Sequence, residues 1–125
     1  IDDPPARLEE ILEWWLATDP DDEWMGFVTA MVELRAQAVH DSAYREHFVR
    51  SDHLFGESIA AVIRAGIETG DFHKCDPDAV AETVQTTILG TVLRRSSTDG
   101  DEWLDAVRDE VQYYFRARVY DSGDD

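Results

Sequence analysis

Apolar residues recur along the chain at the three- and four-residue spacing of an amphipathic helix, in five separate segments. No segment shows the alternation of apolar and polar residues that is typical of a half-buried strand. The five predicted helices run from Pro4 to about Thr18, from just after Pro20 to about His40, from about Ser42 to Thr69, from Pro77 to about Arg95, and from Asp101 to about Tyr120. We therefore expect an all-α domain of five helices over residues 1–120, followed by an acidic tail over residues 121–125.

Residues that begin and end helices stand between these segments. Asp3 precedes Pro4, and Asp76 precedes Pro77. Both pairs are typical of a helix start, because aspartate caps free backbone N–H groups and the fixed φ of proline suits the first turn. Gly70 follows the long third segment and predicts a left-handed cap at its end.

The charge of the chain limits what it can bind. It carries 28 acidic residues against 11 basic ones, a net charge of −17, and its one lysine is Lys74. Nucleic-acid binding needs clustered basic residues, so we do not expect this domain to contact DNA by itself. An acidic excess of this size destabilises a compact state at low salt through self-repulsion. We expect a salt-rich cytoplasm and a halophilic archaeon as the source, with an acidic protein of ordinary origin as the alternative.

Residues that usually carry catalysis or bind metals show no diagnostic spacing. His40 and His47 are seven positions apart, which separates them by about 10 Å along a helix, too far to share one metal ion easily. Cys75 is the single cysteine and has no histidine at a diagnostic offset. The sequence has no phosphate-binding glycine loop, no nucleophile motif and no run of about 20 apolar residues. We therefore expect no enzyme activity, no cofactor, no metal site and no membrane span.

Large aromatic residues and one methionine recur on the apolar sides of the first three predicted helices. Such stripes are core residues in most helical proteins. Flat rings that face one another across helices also pack imperfectly and leave room for an apolar guest, to whose shape methionine adapts. The candidate ligand-binding residues of these helices are Trp15, Trp24, Phe27, Met31, Phe48 and Phe55. The alternative is an adaptor that binds a partner helix in an aromatic groove.

Three stretches in the second half of the chain resemble one protein family. Residues 63–72 read IRAGIETGDF, residues 76–81 read DPDAVA and residues 88–93 read ILGTVL. A long helix that ends in a glycine turn followed by an acidic residue and phenylalanine, an Asp-Pro helix start, and a glycine within the next helix are common in one type of domain. The chain resembles the C-terminal regulatory domain of TetR/AcrR-type transcriptional regulators, in helix order and length, over nearly all its residues.

The resemblance implies a function and an assembly. In this family the last two helices pair with their copies across a two-fold axis into an intersubunit four-helix bundle, and the first four helices surround a small-molecule pocket. We therefore expect a cytoplasmic homodimer that binds a small apolar effector and acts as part of a repressor. The family's N-terminal helix-turn-helix unit is not in this chain, so we expect DNA to be a partner only of the intact regulator.

The fourth predicted helix is apolar on two faces, which agrees with this arrangement. The face expected to look into the ligand pocket carries Val84, Thr87, Ile88 and Thr91. The other face and the last helix supply the expected dimer interface, which consists of Leu89, Gly90, Leu93, Val111 and Tyr113. Burial within the core of a single chain is the alternative for these residues.

Overall fold

The computed structural model describes residues 2–120, which form five α-helices. Their bounds are α1 Pro4–Trp15, α2 Asp22–Gln37, α3 Ser42–Thr69, α4 Pro77–Ser97 and α5 Leu104–Arg118. The predicted all-α class and the order of five helices are confirmed. The predicted acidic tail over residues 121–125 lies outside the described residues.

Four helices begin or end two or three residues from the predicted position, and α2, for example, ends at Gln37 rather than near His40. The causes are clearest for α1 and α5. α1 ends at Trp15 rather than near Thr18, since Leu16 already has a non-helical backbone conformation. α5 begins at Leu104 rather than at Asp101, because a turn precedes it in which the N–H of Leu104 donates to the carbonyl of Asp101 at 2.9 Å. Both differences shorten a helix without changing its neighbours.

Aspartate side chains cap the first four helices. Asp3, Asp21, Asp41 and Asp76 each accept a hydrogen bond from a backbone N–H group in the first turn of the helix that follows. Each bond satisfies a donor that has no partner inside the helix. Part of the acidic excess therefore stabilises local structure, and the helix starts predicted at Asp3 and Asp76 are confirmed.

The turn after α3 folds a phenylalanine back over the helix. Gly70 adopts the predicted left-handed conformation, with φ at 85°. The N–H of Phe72 then donates to the carbonyl of Gly66 at 3.0 Å, and the Phe72 ring is buried against Gly66. A Cβ atom added at Gly66 would lie 2.0 Å from Cδ2 of Phe72, so the close approach of ring and helix requires glycine at this position.

The Phe72 ring also connects this turn to the end of α5. It stacks on Tyr120 with ring centroids 5.7 Å apart, and Tyr120 stacks on Phe115 at 5.6 Å. The Tyr120 hydroxyl donates to the carboxylate of Glu9 on α1. Burial raises the pKa of Tyr120, so the hydroxyl keeps the proton that it donates. These contacts attach α5 to α1 and to the turn after α3.

Two arginines hold the C-terminal end of α1. Arg95 of α4 donates to the carbonyl of Ala17, and Arg108 of α5 donates to the carbonyl of Leu16. Positive groups are favourable here because the carbonyl end of a helix carries partial negative charge. Arg95 is buried and also bonds to Oδ2 of Asp101 at 3.1 Å. The end of α1 is thereby fixed to both C-terminal helices.

The core contains buried side chains from all five helices. α3 and α4 pack against each other most extensively, and α2 contacts both of them. The large side chains that are almost completely buried include Leu8, Leu16, Ile59, Ile63, Val80, Val92, Leu104 and Phe115. Two apolar gaps interrupt this packing, one among the first four helices and one between α4 and α5.

Candidate ligand-binding site

A cavity of about 250 Å³ lies among the first four helices, and we call it the aromatic cavity. Its lining consists of Trp15, Phe27, Met31, Arg35, Phe48, Ser51, Asp52, Phe55, Gln85, Ile88, Leu89 and Val92. Six of these are predicted ligand-binding residues, namely Trp15, Phe27, Met31, Phe48, Phe55 and Ile88. The structure therefore brings most of the aromatic set together from α1, α2 and α3. The volume suits a guest smaller than a typical drug, since pockets for drug-sized ligands measure about 300–1,000 Å³.

Two pairs of aromatic rings at or beside the aromatic cavity meet at steep angles. The centroids of Trp15 and Phe55 are 5.5 Å apart with an interplanar angle of 54°. Phe27 meets Trp14 edge to face at 5.8 Å, and 54% of Phe27 remains exposed. A bound guest could therefore cover apolar surface of Phe27 that is now in contact with water, and burial of that surface would favour binding.

Trp24 is predicted to contact the ligand, but the structure places it in the core beside the aromatic cavity. Its indole Nε1 donates to the carbonyl of Trp14 at 3.0 Å, and the guanidinium of Arg95 lies over its ring, 5.4 Å from the centroid. The ring is buried, and it is not among the lining residues of the cavity. Trp24 therefore joins α2 to α1 and α4, because its polar edge has a fixed partner and its faces are covered.

One end of the aromatic cavity is polar, and sequence reasoning missed it. Arg35 of α2 makes two parallel hydrogen bonds to Asp52 of α3, with Nη1–Oδ1 at 2.9 Å and Nη2–Oδ2 at 2.6 Å. This hydrogen bonding raises the pKa of Arg35, so the guanidinium stays charged. The guanidinium also lies over the ring of Phe48, and Gln85 of α4 donates to the backbone carbonyl of Asp52 at 2.9 Å. No spacing rule links Arg35 to Asp52, because they lie on different helices.

A second cavity, of about 410 Å³, lies between α4 and α5 with α1 behind it, and we call it the α4–α5 cavity. Its lining consists of Leu12, Leu16, Thr83, Val84, Thr87, Ile88, Ala106, Val107, Glu110, Val111 and Tyr114. Val84 and Thr87 lie here and not beside the aromatic rings as predicted, while Ile88 lines both cavities. Thr91, also predicted to face the pocket, is buried and lines neither cavity. Helical geometry explains why Thr87 and Leu89 line different cavities. Residues two positions apart point to opposite sides of a helix, so Thr87 faces α5 while Leu89 faces the aromatic cavity.

The residues predicted for the dimer interface occupy three kinds of position. Gly90, Leu93 and Tyr113 are exposed on α4 and α5. Val111 lines the α4–α5 cavity. Leu89 lines the aromatic cavity, on the side of α4 opposite to Thr87, because the core holds α4 with that side toward α2 and α3.

Within residues 2–120, no group of three histidine, cysteine, aspartate or glutamate side chains is placed to hold a metal ion. Burial raises the pKa of the Cys75 thiol, which disfavours the reactive thiolate at neutral pH. None of the described helices is long and apolar enough to cross a membrane. The chemistry that the described side chains bring together in the aromatic cavity is apolar contact beside one ion pair.

Comparison with known proteins agrees with this fold. Residues 4–118 match the family model described as BetI-type transcriptional repressor, C-terminal. The chain is also similar to the crystal structure of a TetR transcription regulator from Haloarcula marismortui ATCC 43049, with a TM-score of 0.83 and 28% sequence identity. The match covers 95% of this chain and 65% of that chain. No curated protein matches the chain significantly.

The fold, the cavities and these matches define a regulatory domain of the TetR class. More narrowly, the chain belongs to the family of C-terminal domains of BetI-type transcriptional repressors. It spans 65% of the length of the Haloarcula regulator.

Proposed function

We propose that this domain binds a small apolar effector in the aromatic cavity and, in the intact regulator, controls an N-terminal helix-turn-helix unit that reads DNA. The aromatic cavity carries the proposal, because four aromatic rings and a methionine from three helices surround space that their own side chains leave unfilled. Membership of a repressor family and the greater length of the Haloarcula regulator support the DNA-reading unit. The effector regulates by binding one arrangement of the regulator more tightly than the other.

The proposed active form is a homodimer held by α4 and α5. A single chain leaves about 410 Å³ of largely apolar space between these two helices. The same helices expose the large side chains Leu93 and Tyr113. Covering apolar surface of this kind with a second chain removes it from water, which favours association of the two chains. In the proposed dimer, α4 and α5 of two chains form a four-helix bundle across a two-fold axis.

The size of the aromatic cavity favours a sensor of small molecules over an adaptor that binds a partner helix. A helix with its side chains is about 10 Å across, and it docks in a long groove through several anchor residues. The aromatic cavity measures about 250 Å³, and the Arg35–Asp52 ion pair forms part of its wall. A site of this size holds one small molecule. We assign the domain no catalytic role, in agreement with its family of transcriptional repressors.

We also infer that the domain functions in the salt-rich cytoplasm of a halophilic archaeon. The net charge of −17 on 125 residues supports this setting, because salt screens the repulsion among carboxylates. The similarity to a regulator from Haloarcula marismortui supports the same origin.

Removal of the Phe27 ring should weaken the binding of a two-ring apolar probe and leave the fold intact. Phe27 lines the aromatic cavity, but 54% of it is exposed, so Phe27→Ala removes a ligand contact and little core packing. For 2-naphthol we expect the Kd to rise about tenfold, since the buried area of one ring face is worth roughly 1–2 kcal/mol. Isothermal titration calorimetry measures this Kd.

Two variants serve as controls for Phe27→Ala. Leu34 is also on α2 and is 47% exposed, but it does not line the cavity, so Leu34→Ala should keep the parental Kd. Trp24→Ala should mainly lower the Tm, because Trp24 is buried and its indole N–H donates a hydrogen bond to the backbone carbonyl of Trp14. Equal affinities for 2-naphthol in Phe27→Ala and Leu34→Ala would show that the aromatic cavity is not the binding site.

Leu93→Glu should convert the dimer into monomers. The substitution puts a carboxylate on the exposed side of α4, where the dimer would bury it twice across the two-fold axis, and burial of an unpaired charge is strongly unfavourable. Sedimentation velocity in about 2 M KCl measures the oligomeric state where charge repulsion is screened. The matched control is Leu54→Glu on α3, which changes a 68% exposed leucine and should remain dimeric. A dimer that survives Leu93→Glu would place the interface on another surface.

A further inference from the structure

The Arg35–Asp52 ion pair lies between two cavities of different character. A third cavity, of about 330 Å³, is lined largely by polar residues, including His53, Glu82 and Thr86, and we call it the polar cavity. Arg35, Asp52, Gln85 and Leu89 line both the polar cavity and the aromatic cavity. The ion pair is therefore part of the wall between an apolar compartment and a polar one.

The two partners of this ion pair are not held equally. Arg35 has a second contact besides Asp52, because its guanidinium lies 5.0 Å from the centroid of the Phe48 ring. The Asp52 side chain is the more exposed of the two, at 41% against 31% for Arg35. Rotation of the Asp52 carboxylate toward the polar cavity breaks the pair but leaves Arg35 on Phe48, whereas movement of Arg35 breaks both contacts. Asp52 is thus the partner that a ligand displaces more easily.

We propose that the effector of the aromatic cavity carries a carboxylate, which replaces Asp52 on Arg35 while the apolar part of the effector contacts the aromatic rings. This inference rests on the proposed function of the cavity. A ligand carboxylate re-forms the same two parallel hydrogen bonds, for which the planar guanidinium is suited. Among the described residues that line the aromatic cavity, Arg35 is the one positive charge, so it is the group that would select an anion.

Ligands of other charge would gain less at this position. A cation that accepts a place on the remaining lone pairs of Asp52 would lie beside the positive guanidinium of Arg35, and displacing Arg35 would also remove its contact with Phe48. A neutral ligand leaves the ion pair intact and gains ring contacts alone. The net charge of −17 opposes an anion at a distance, but salt screens this repulsion. Affinity for the carboxylate should therefore rise with salt, and affinity for a cation should fall.

Three probes that share one ring system test the charge of the ligand. They are 2-naphthoate, 2-naphthol and 2-naphthylmethylammonium, titrated calorimetrically into the 125-residue chain in about 0.2 M and about 2 M KCl. At the higher salt we expect 2-naphthoate to bind about threefold more tightly than 2-naphthol. The gain is smaller than a whole charge-assisted pair, because the ligand's hydrogen bonds to Arg35 replace those of Asp52 and only the hydration recovered by the displaced Asp52 carboxylate is added. The ammonium should bind most weakly. The affinity for 2-naphthoate should increase between the two salt concentrations.

Substitutions then locate the effect at the ion pair. Arg35→Met should bring the ratio of the 2-naphthoate and 2-naphthol affinities to about one. Asp52→Asn should raise the affinity for 2-naphthoate, because it removes the competing carboxylate and keeps the shape of the side chain. The matched control is Arg64→Met, since Arg64 pairs with Asp78 on the surface through an Nη2–Oδ1 distance of 2.6 Å. That variant should keep the parental ratio.

The outcomes separate this inference from the proposed function. If 2-naphthol binds as tightly as 2-naphthoate, or if the ammonium binds most tightly, the inference that the effector carries a carboxylate is wrong. The proposal that the aromatic cavity binds an apolar effector then still stands. If Arg35→Met does not fold, the affinity of Asp52→Asn for 2-naphthoate tests the inference instead. An affinity equal to or lower than that of the parental chain overturns it. If none of the three probes binds the parental chain, the proposed function fails together with it.

Discussion

Gly66→Ala should lower the free energy of unfolding by about 3 kcal/mol, near the upper end for overpacked cores. The added Cβ would lie 2.0 Å from Cδ2 and 2.3 Å from Cε2 of Phe72. The ring has no room to retreat, because it is buried and stacked on Tyr120, and the Phe72 N–H is bonded to the carbonyl of Gly66 itself. In thermal unfolding followed by circular dichroism, we expect the Tm to fall by roughly 10 °C or more.

Two variants test whether the Phe72 ring causes this loss. Gly26→Ala is the matched control, because Gly26 is also within a helix and nothing lies within 4 Å of its added Cβ. It should raise stability by about 0.5–1 kcal/mol through helix propensity alone. Phe72→Leu in the Gly66→Ala background should recover part of the loss, since the smaller side chain relieves the overlap. A Tm for Gly66→Ala equal to or above that of the parent would show that the turn after α3 can open without cost.

Local signals were sufficient to predict the helices and this turn. The start of α4 follows from Asp76 and Pro77, and the end of α3 follows from Gly70, because each residue acts on backbone groups within four positions. The return of Phe72 onto α3 is also a short-range feature. The aromatic residues of α1, α2 and α3 could be predicted as one cluster because each lies on the apolar side of its own helix.

Contacts between distant parts of the chain could not be predicted in this way. The two apolar faces of α4 are visible in the sequence, but the neighbour of each face depends on how α4 is rotated in the core. Thr87, predicted for the ligand pocket, therefore lines the α4–α5 cavity, and Leu89, predicted for the dimer interface, lines the aromatic cavity. Arg95 finds its carbonyl partner at Ala17, 78 residues away. Arg35 and Asp52 likewise look like ordinary solvated charges until two helices bring them together. Long polar side chains adopt these roles only through the tertiary fold.

Added KCl should stabilise this domain by about 2 kcal/mol or more between about 0.1 M and about 2 M. Two like charges about 10 Å apart repel by roughly 0.4 kcal/mol in water, and the net charge of −17 places many such pairs on one small surface. The Debye length falls from about 10 Å at 0.1 M to about 3 Å at 1 M, so most of this repulsion is removed. The unfolded chain is less compact and gains less from screening. Urea titrations at a series of KCl concentrations measure the change.

A variant with fewer charges distinguishes screening from the salting-out of apolar surface. Glu33→Gln, Glu46→Gln and Asp109→Asn change exposed carboxylates on three different helices and remove three negative charges. If repulsion limits stability, the triple variant should be more stable than the parent at about 0.1 M KCl, and the two should converge at about 2 M. Salting-out would act equally on both chains, because their apolar surfaces are the same. Parallel stability curves over the whole salt range would therefore contradict charge screening as the cause, and with it the inferred adaptation to a salt-rich cytoplasm.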